Sequence, residues 1–311
     1  LDANLRRLVN GIGQRVTGSP QMAQAVAWAM AAFKAAGVDD FHTEKYTVPP
    51  VWAQGRARLN VLAPVAGGEN VVAEIRGREK PDEFVLLTSH LDSWDLGKGA
   101  LDAGCNVALV IEAARIIHLT GLRPRRTIRF VLFTGHEQGK LCSWGYVQAH
   151  RAELDRIAAA ISFDRGTGRV NGFAFGGRND LETGVRESLT AFDSSWGIAR
   201  YSADATLDSD NGDFLLEGVP NVLASQENAG YVGNRHSTAD IYDKIDVETL
   251  KRNTAVAGVL AFGLAERERP LGSRLSRADT EALLERTGIA SSMRQADLWT
   301  LWQDQSRGRL P

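Results

Sequence analysis

The chain has 311 residues, 43% hydrophobic and 24% charged, an ordinary globular composition that excludes a disordered or collagen-like polymer. Its 36 basic and 38 acidic residues leave a formal net charge of -2, so no basic field recruits nucleic acid or acidic lipid, and no stretch approaches the ~20 apolar residues of a membrane span. Two cysteines exclude a disulfide-dense scaffold and a cysteine-rich zinc module, which leaves a small molecule or a peptide as the expected partner.

From residue 2 to 38, apolar residues recur at helical spacing, Leu5, Leu8 and Val9 and then Val26, Met30 and Phe33, broken by a turn-forming stretch at 17–20. This predicts two helices around a loop. Alternating and β-branched runs at 41–48, 57–62, 71–75 and 84–89 predict strands. Helix and strand then alternate: helix 103–120, strand 127–134, helix 143–150, strand 158–163, helix 181–192, a short helix 213–216, strand 221–225 and a long helix 247–266. Such alternation predicts an α/β fold, a mostly parallel mixed sheet flanked by helices on both faces, with functional residues at the carboxyl ends of the strands. Residues 1–270 read as one domain of this kind. Residues 271–311 read as a helical extension whose Leu283, Leu284, Leu298, Trp299, Leu301 and Trp302 pack on that domain or on a partner subunit.

Strand 84–89 runs into His90, Leu91 and Asp92, which sets an imidazole and a carboxylate on the same side of an extended backbone. One can bind metal while the other orients it. Asp102 lies in the glycine-rich stretch 97–104 ahead of a helix, where a capping aspartate is the plainer reading. Strand 127–134 leads into His136 and Glu137, strand 158–163 into Asp164, and His236 stands in a polar loop that ends at Asp240. Singly, each has an ordinary explanation as a core histidine, a cap or a surface loop. Together they bring two histidines and three carboxylates, without thiolate, to one edge of the sheet, a shell suited to catalytic zinc. Five ligands with one bridging carboxylate suit two metal ions about 3.5–4 Å apart.

With these motifs in this order, the chain resembles the dizinc aminopeptidase family that includes bacterial leucyl aminopeptidases, nearest to its plasma glutamate carboxypeptidase-like branch. The resemblance runs from Gly18, Ser19 and Pro20 through SHLDSWDLG, GALDAG, FTGHEQG, FDRGTGRV, SDNGDFLLEGVPN and RHSTADIYDKID into the tail. It implies a zinc exopeptidase-like three-layer sandwich holding two Zn2+, with one or both positions filled. Asp102 would bridge, His90 and Asp164 would hold one ion, Glu137 and His236 the other, and Asp92 would steady His90. The implied activity is hydrolysis of short peptides near a free N-terminus, by an aminopeptidase or dipeptidase. The start at Leu1 fits a removed signal peptide, and with it a secreted or periplasmic protein; an arbitrary boundary of the sequence fits equally well.

Where the family carries a glutamate as general base, immediately before the ligand Glu137, this chain carries His136. Imidazole, with an ordinary pKa of ~6.5, can accept a proton but supplies one negative charge less beside two dications. The sequence leaves three readings open: His136 as catalytic base, a weakened or inactive zinc- and peptide-binding homologue in which His136 binds metal or blocks water, and glutaminyl cyclase-like chemistry on a similar fold. Cys105 and Cys142 replace small residues in neighbouring loops, and either a disulfide across the rim or two buried thiols would result. The connector 64–70 is short where longer relatives carry an inserted domain, which implies an open mouth or one closed by a partner subunit, as in a homodimer. Asp208, Asp210, Asn211 and Asp213, with Tyr231, are candidates to receive a substrate ammonium group, a solvated acidic loop being the simpler account.

Overall fold

The computed structural model describes residues 1–47, 51–54, 60–63 and 68–304. Among them the strands are β1 Asp40–Tyr46, β2 Val51–Gln54, β3 Asn60–Ala63, β4 Gly68–Ile75, β5 Lys80–His90, β6 Arg126–Phe133, β7 Ile157–Ser162, β8 Val170–Ala174, β9 Arg200–Ser202 and β10 Asn221–Gln226. β2 and β3 form a separate antiparallel ribbon, and the others form one sheet in the order β1-β4-β6-β5-β7-β10-β8-β9. The central strands β6, β5, β7 and β10 run parallel, and the antiparallel β4 and β8 flank them. The α-helices are α1 Asp2–Arg6, α2 Pro20–Ala36, α3 Cys105–Leu119, α4 Leu141–Ala149, α5 Glu182–Ser188, α6 Asn211–Leu216, α7 Tyr231–Asn234, α8 Val247–Glu266, α9 Arg277–Arg286, α10 Ile289–Gln295 and α11 Leu298–Gln303. None of the described helices is long and apolar enough to cross a membrane.

In β5 and β6 successive side chains leave the sheet on opposite sides. Val85, Leu87, Ile128, Phe130 and Leu132 meet Phe33 of α2, Leu109 of α3 and Leu260 of α8 on one face. Phe84, Leu86, Val131 and Phe133 meet Tyr146 and Val147 of α4 and Phe214 of α6 on the other. Burial on both faces is why these strands read as unbroken apolar runs. Local chemistry sets the helix ends. The Ser19 side chain accepts the Met22 amide at 3.1 Å, Pro20 occupies the first turn of α2, and Gly37 closes it with φ 80°.

The C-terminal helices bury Leu283, Leu284, Met293, Trp299 and Trp302 against Leu215 and Leu216 of α6, and the Trp302 indole donates to the Leu216 carbonyl at 3.0 Å. The extension therefore packs on the parent domain and braces α6.

Sequence periodicity does not register β8 and β9, which span five and three residues with a glycine inside β8, too short for a period of two to stand out. The helix expected over 181–192 stops at Ser188, because the Ser188 and Thr190 hydroxyls turn back onto the carbonyls of Gly184 and Glu187 and compete with the helix ladder. Residue 48 of the expected strand 41–48, residues 57–59 of the expected strand 57–62 and residues 64–67 of the short connector lie outside the described residues.

Candidate active site

Loops at the carboxyl ends of β5, β6 and β7 converge with two from elsewhere in the chain, the place where an open parallel sheet holds its ligand. His90 closes β5 and is fully buried; its Nε2 lies 3.2 Å from Asp102 Oδ1 and 3.2 Å from Asp164 Oδ1. His236 Nε2 lies 3.0 Å from Asp102 Oδ2 and 3.1 Å from Glu137 Oε2. Asp102 thus turns one oxygen to each histidine.

Ligand atoms ~2.0–2.1 Å from a tetrahedral zinc stand about 3.3 Å apart, so these spacings approach those of two coordination shells that share Asp102. Glu137 Oε1 and Asp164 Oδ1 are buried and make no hydrogen bond, a condition that a bound cation relieves. The imidazole and carboxylate donors fit zinc. Asp102 and Glu137 hold the His236 imidazolium up to about 9. Burial pushes Asp102 upward, yet hydrogen bonds from His236 and His90 hold it far below the carboxylate range. The field therefore favours positive charge.

The backbone around Asp102 is fixed from three sides. Gly99, with φ 58°, starts the turn at a point where a Cβ would sit 2.3 Å from Ser93 Cβ. Asp240 accepts the amides of Leu101 and Asp102 at 2.6 and 3.2 Å, and the Tyr231 hydroxyl donates to Asp102 Oδ1 at 2.9 Å. The Asp102–Ala103 peptide is cis. Helix α3 is capped at Gly104, so Asp102 is not the capping residue that its position suggests. Arg15, fully buried, donates to the carbonyls of Leu91, Lys98 and Gly99 at 2.7 to 2.9 Å. Burial lowers its pKa to about 10 against the opposing pull of Asp92, Asp240 and Asp102, so it stays a cation beneath the carboxylates. Sequence reading missed Arg15, which carries no local signal. Asp240 shares a polar loop with His236, a signal that could have found it.

Asp92 does more than neighbour His90. Its carbonyl lies 3.2 Å and its Oδ1 3.5 Å from His90 Nδ1, while its carboxylate accepts the amides of His136 and Glu137 at 3.2 and 3.0 Å. It is fully buried and ties the end of β5 to the loop after β6. In that loop the His136 ring stacks on His90 with centroids 3.9 Å apart and planes 12° from parallel, and its Nδ1 meets Asp210 Oδ2 at 2.8 Å. Burial and the adjacent His90 push the His136 pKa down, but Asp210 and Asp164 outweigh them and leave it above its ordinary value. One ring nitrogen of His136 comes within 4.8 Å of ligand atoms of His90 and Asp164. An imidazole lone pair lies in its ring plane, however, and two nearly parallel stacked rings do not aim lone pairs at one ion.

A cleft of about 500 Å³ opens over the cluster, lined by Trp94, His136, Glu137, Asp164, Asp208 and Tyr231 among others. The other members of the expected ammonium site face inward. Asp210 is buried on His136, the Asn211 side chain donates to Asn221 Oδ1 at 2.6 Å, and Asp213 accepts from the Ser143 hydroxyl at 2.6 Å. Neither a solvated loop nor a shared ammonium pocket describes them. Cys105 and Cys142 are free buried thiols, so no disulfide closes the rim; burial pushes Cys142 up to about 12.

The model of peptidase family M28 matches residues 70–261, over half of the chain, a span that contains His90, Asp102, Glu137, Asp164 and His236. The chain belongs to peptidase family M28. M28 is a family of zinc-dependent metallopeptidases. This member is 33% identical to Carboxypeptidase Q of Rattus norvegicus over 202 residues, 65% of this chain and 42% of that protein. It is 33% identical to Carboxypeptidase Q of Bos taurus over 210 residues, 67% and 44% of the two chains. The matched region spans less than half the length of these relatives. Among solved structures, the Peptidase M28 precursor of Shewanella amazonensis superposes with TM-score 0.79 at 21% identity, over 88% of this chain and 95% of that one. BSAP, a zinc aminopeptidase of Bacillus subtilis, superposes with TM-score 0.71 at 14% identity, over 86% and 94%. Glutaminyl cyclase of Porphyromonas gingivalis also shares the fold, with TM-score 0.62 at 16% identity over 83% and 95%. These likenesses establish the M28 α/β fold.

Proposed function

We propose that this M28 chain is a zinc-dependent exopeptidase, an aminopeptidase or dipeptidase for short peptides with a free N-terminus, with His136 as its general base. The observation that carries the reading is Asp102, one oxygen toward His90 and the other toward His236, with Asp164 beside the first histidine and Glu137 beside the second. His90, Asp102 and Asp164 would hold one zinc ion, and His236, Asp102 and Glu137 a second. Bound zinc supplies Lewis-acid polarisation of the carbonyl and a water acidified to a pKa of about 7.

His136 faces the same cleft and takes the proton of the attacking water, then returns it to the leaving amine. The lining carries both signs, Asp208 and Glu227 against Lys140, Arg165 and Arg235, which suits a short zwitterionic peptide bound by its ammonium and its carboxylate. An imidazole brings one negative charge less than the glutamate it replaces. His136→Glu should therefore raise kcat by on the order of tenfold, less than the ~10²–10⁴ that general-base help supplies as a whole, because His136 already supplies part of it.

The test is hydrolysis of unblocked and N-acetylated dipeptides and aminoacyl anilides by the zinc-loaded chain, with and without chelator. Chelator-sensitive release from unblocked substrates alone is the expected result. An inert native chain beside an active His136→Glu variant would replace the base reading with a zinc- and peptide-binding homologue disarmed at one position. Cyclisation of N-terminal glutamine without hydrolysis would replace it with cyclase chemistry.

A further inference from the structure

The base position holds a residue with a problem that a carboxylate does not have. Either oxygen of a glutamate accepts a proton, whereas a neutral imidazole accepts on one nitrogen only, and which one depends on its tautomer. The surroundings of His136 resolve this. Its amide is held by Asp92 at 3.2 Å, and its carbonyl accepts the amides of Gly139 and Lys140 at 3.0 and 2.9 Å. The stack on His90, 3.9 Å between centroids and 12° between planes, fixes the ring plane. Rotation within that plane is set by Asp210, whose Oδ2 lies 2.8 Å from Nδ1.

Asp210 is 2% exposed and does not line the cleft, whereas His136 does. The ring edge toward the cleft is therefore the one that carries Nε2. We infer that Asp210 is the positioning residue of a His–Asp dyad: it holds His136 with the proton on Nδ1 and leaves the Nε2 lone pair facing the cleft as the proton acceptor. The dyad replaces the single carboxylate of the family and rests on the proposed role of His136 as base.

The experiment combines nitrogen NMR of the His136 ring with a double-mutant cycle. In the zinc-loaded native chain, the ring nitrogens should report a protonated Nδ1 and an unprotonated Nε2. Asp210→Asn should shift the ring toward the other tautomer and lower kcat by on the order of 10²-fold or more, with KM and zinc stoichiometry little changed. In the His136→Glu background, where no tautomer exists to select, the cost of the same substitution should shrink at least tenfold. A native ring protonated on Nε2, unchanged shifts in Asp210→Asn, or equal losses in both backgrounds would overturn the dyad. If the native chain shows no turnover, the base reading falls, and the nitrogen shifts still decide whether Asp210 sets the tautomer.

Discussion

Asp92 accepts the amide protons of His136 and Glu137, so removing its oxygens leaves two buried N–H groups without partners. Each such group costs about 1–3 kcal/mol, and Asp92→Ala should lose roughly 2–5 kcal/mol of stability, seen as a lower urea midpoint with an unchanged slope. The same variant should bind zinc about 10–100-fold more weakly, because the loop that carries Glu137 loses its anchor. A fall in zinc affinity without a fall in stability would mean that Asp92 acts on His90 alone. His90, Asp92, Glu137 and Asp164 were legible in the sequence, because each follows an apolar strand where a polar residue ends the run. Arg15 and Asp240 were not. Both act on backbone carbonyls and amides far away in the chain, and no local pattern encodes those contacts.

Between elements, Glu44 of β1 joins His150 at the end of α4, with oxygens 3.0 and 3.1 Å from Nε2. Burial works against the Glu44 charge, but hydrogen bonds from His150 and Tyr46 prevail and draw its pKa from 4.5 down to about 2. Burial likewise opposes the His150 charge, and Glu44 and Glu153 prevail to raise it above 6.5. The lowered carboxylate stabilises the fold above pH 4.5 and loses this as pH falls toward 2; the raised imidazole stabilises it below pH 6.5 and loses this as pH climbs through its folded value. Glu44→Gln should therefore cost most between those limits, ~1 kcal/mol after allowance for solvent screening, and less at either extreme. Urea titrations of both proteins across pH check this, and a difference that grows steadily with pH would contradict it. The central strands were legible because both faces are buried. The short strands β8 and β9 and the true end of α5 were not, since pairing with neighbours and side-chain bonds to carbonyls decide them.

For the molecule as a whole, the parallel strands, the bracing of α6 by the C-terminal helices and the buried Arg15 serve one arrangement, a carboxylate shared between two histidines at the floor of a cleft. The α/β architecture followed from the alternation of helix and strand, and the grouping of the five residues from their places at strand ends and in loops. The inward turn of Asp210 and Asn211 did not, because an acidic run looks the same in sequence whether it faces solvent or core.

The most direct test is calorimetric titration of zinc into the metal-free protein, with Asp102→Ala and Asp164→Ala beside the native chain. Two zinc equivalents should bind per native chain, one of them weakened in Asp164→Ala and both weakened together in Asp102→Ala. A native chain that takes up a single equivalent, or an Asp102→Ala variant that loses only one of two, would contradict the shared carboxylate on which the whole reading stands.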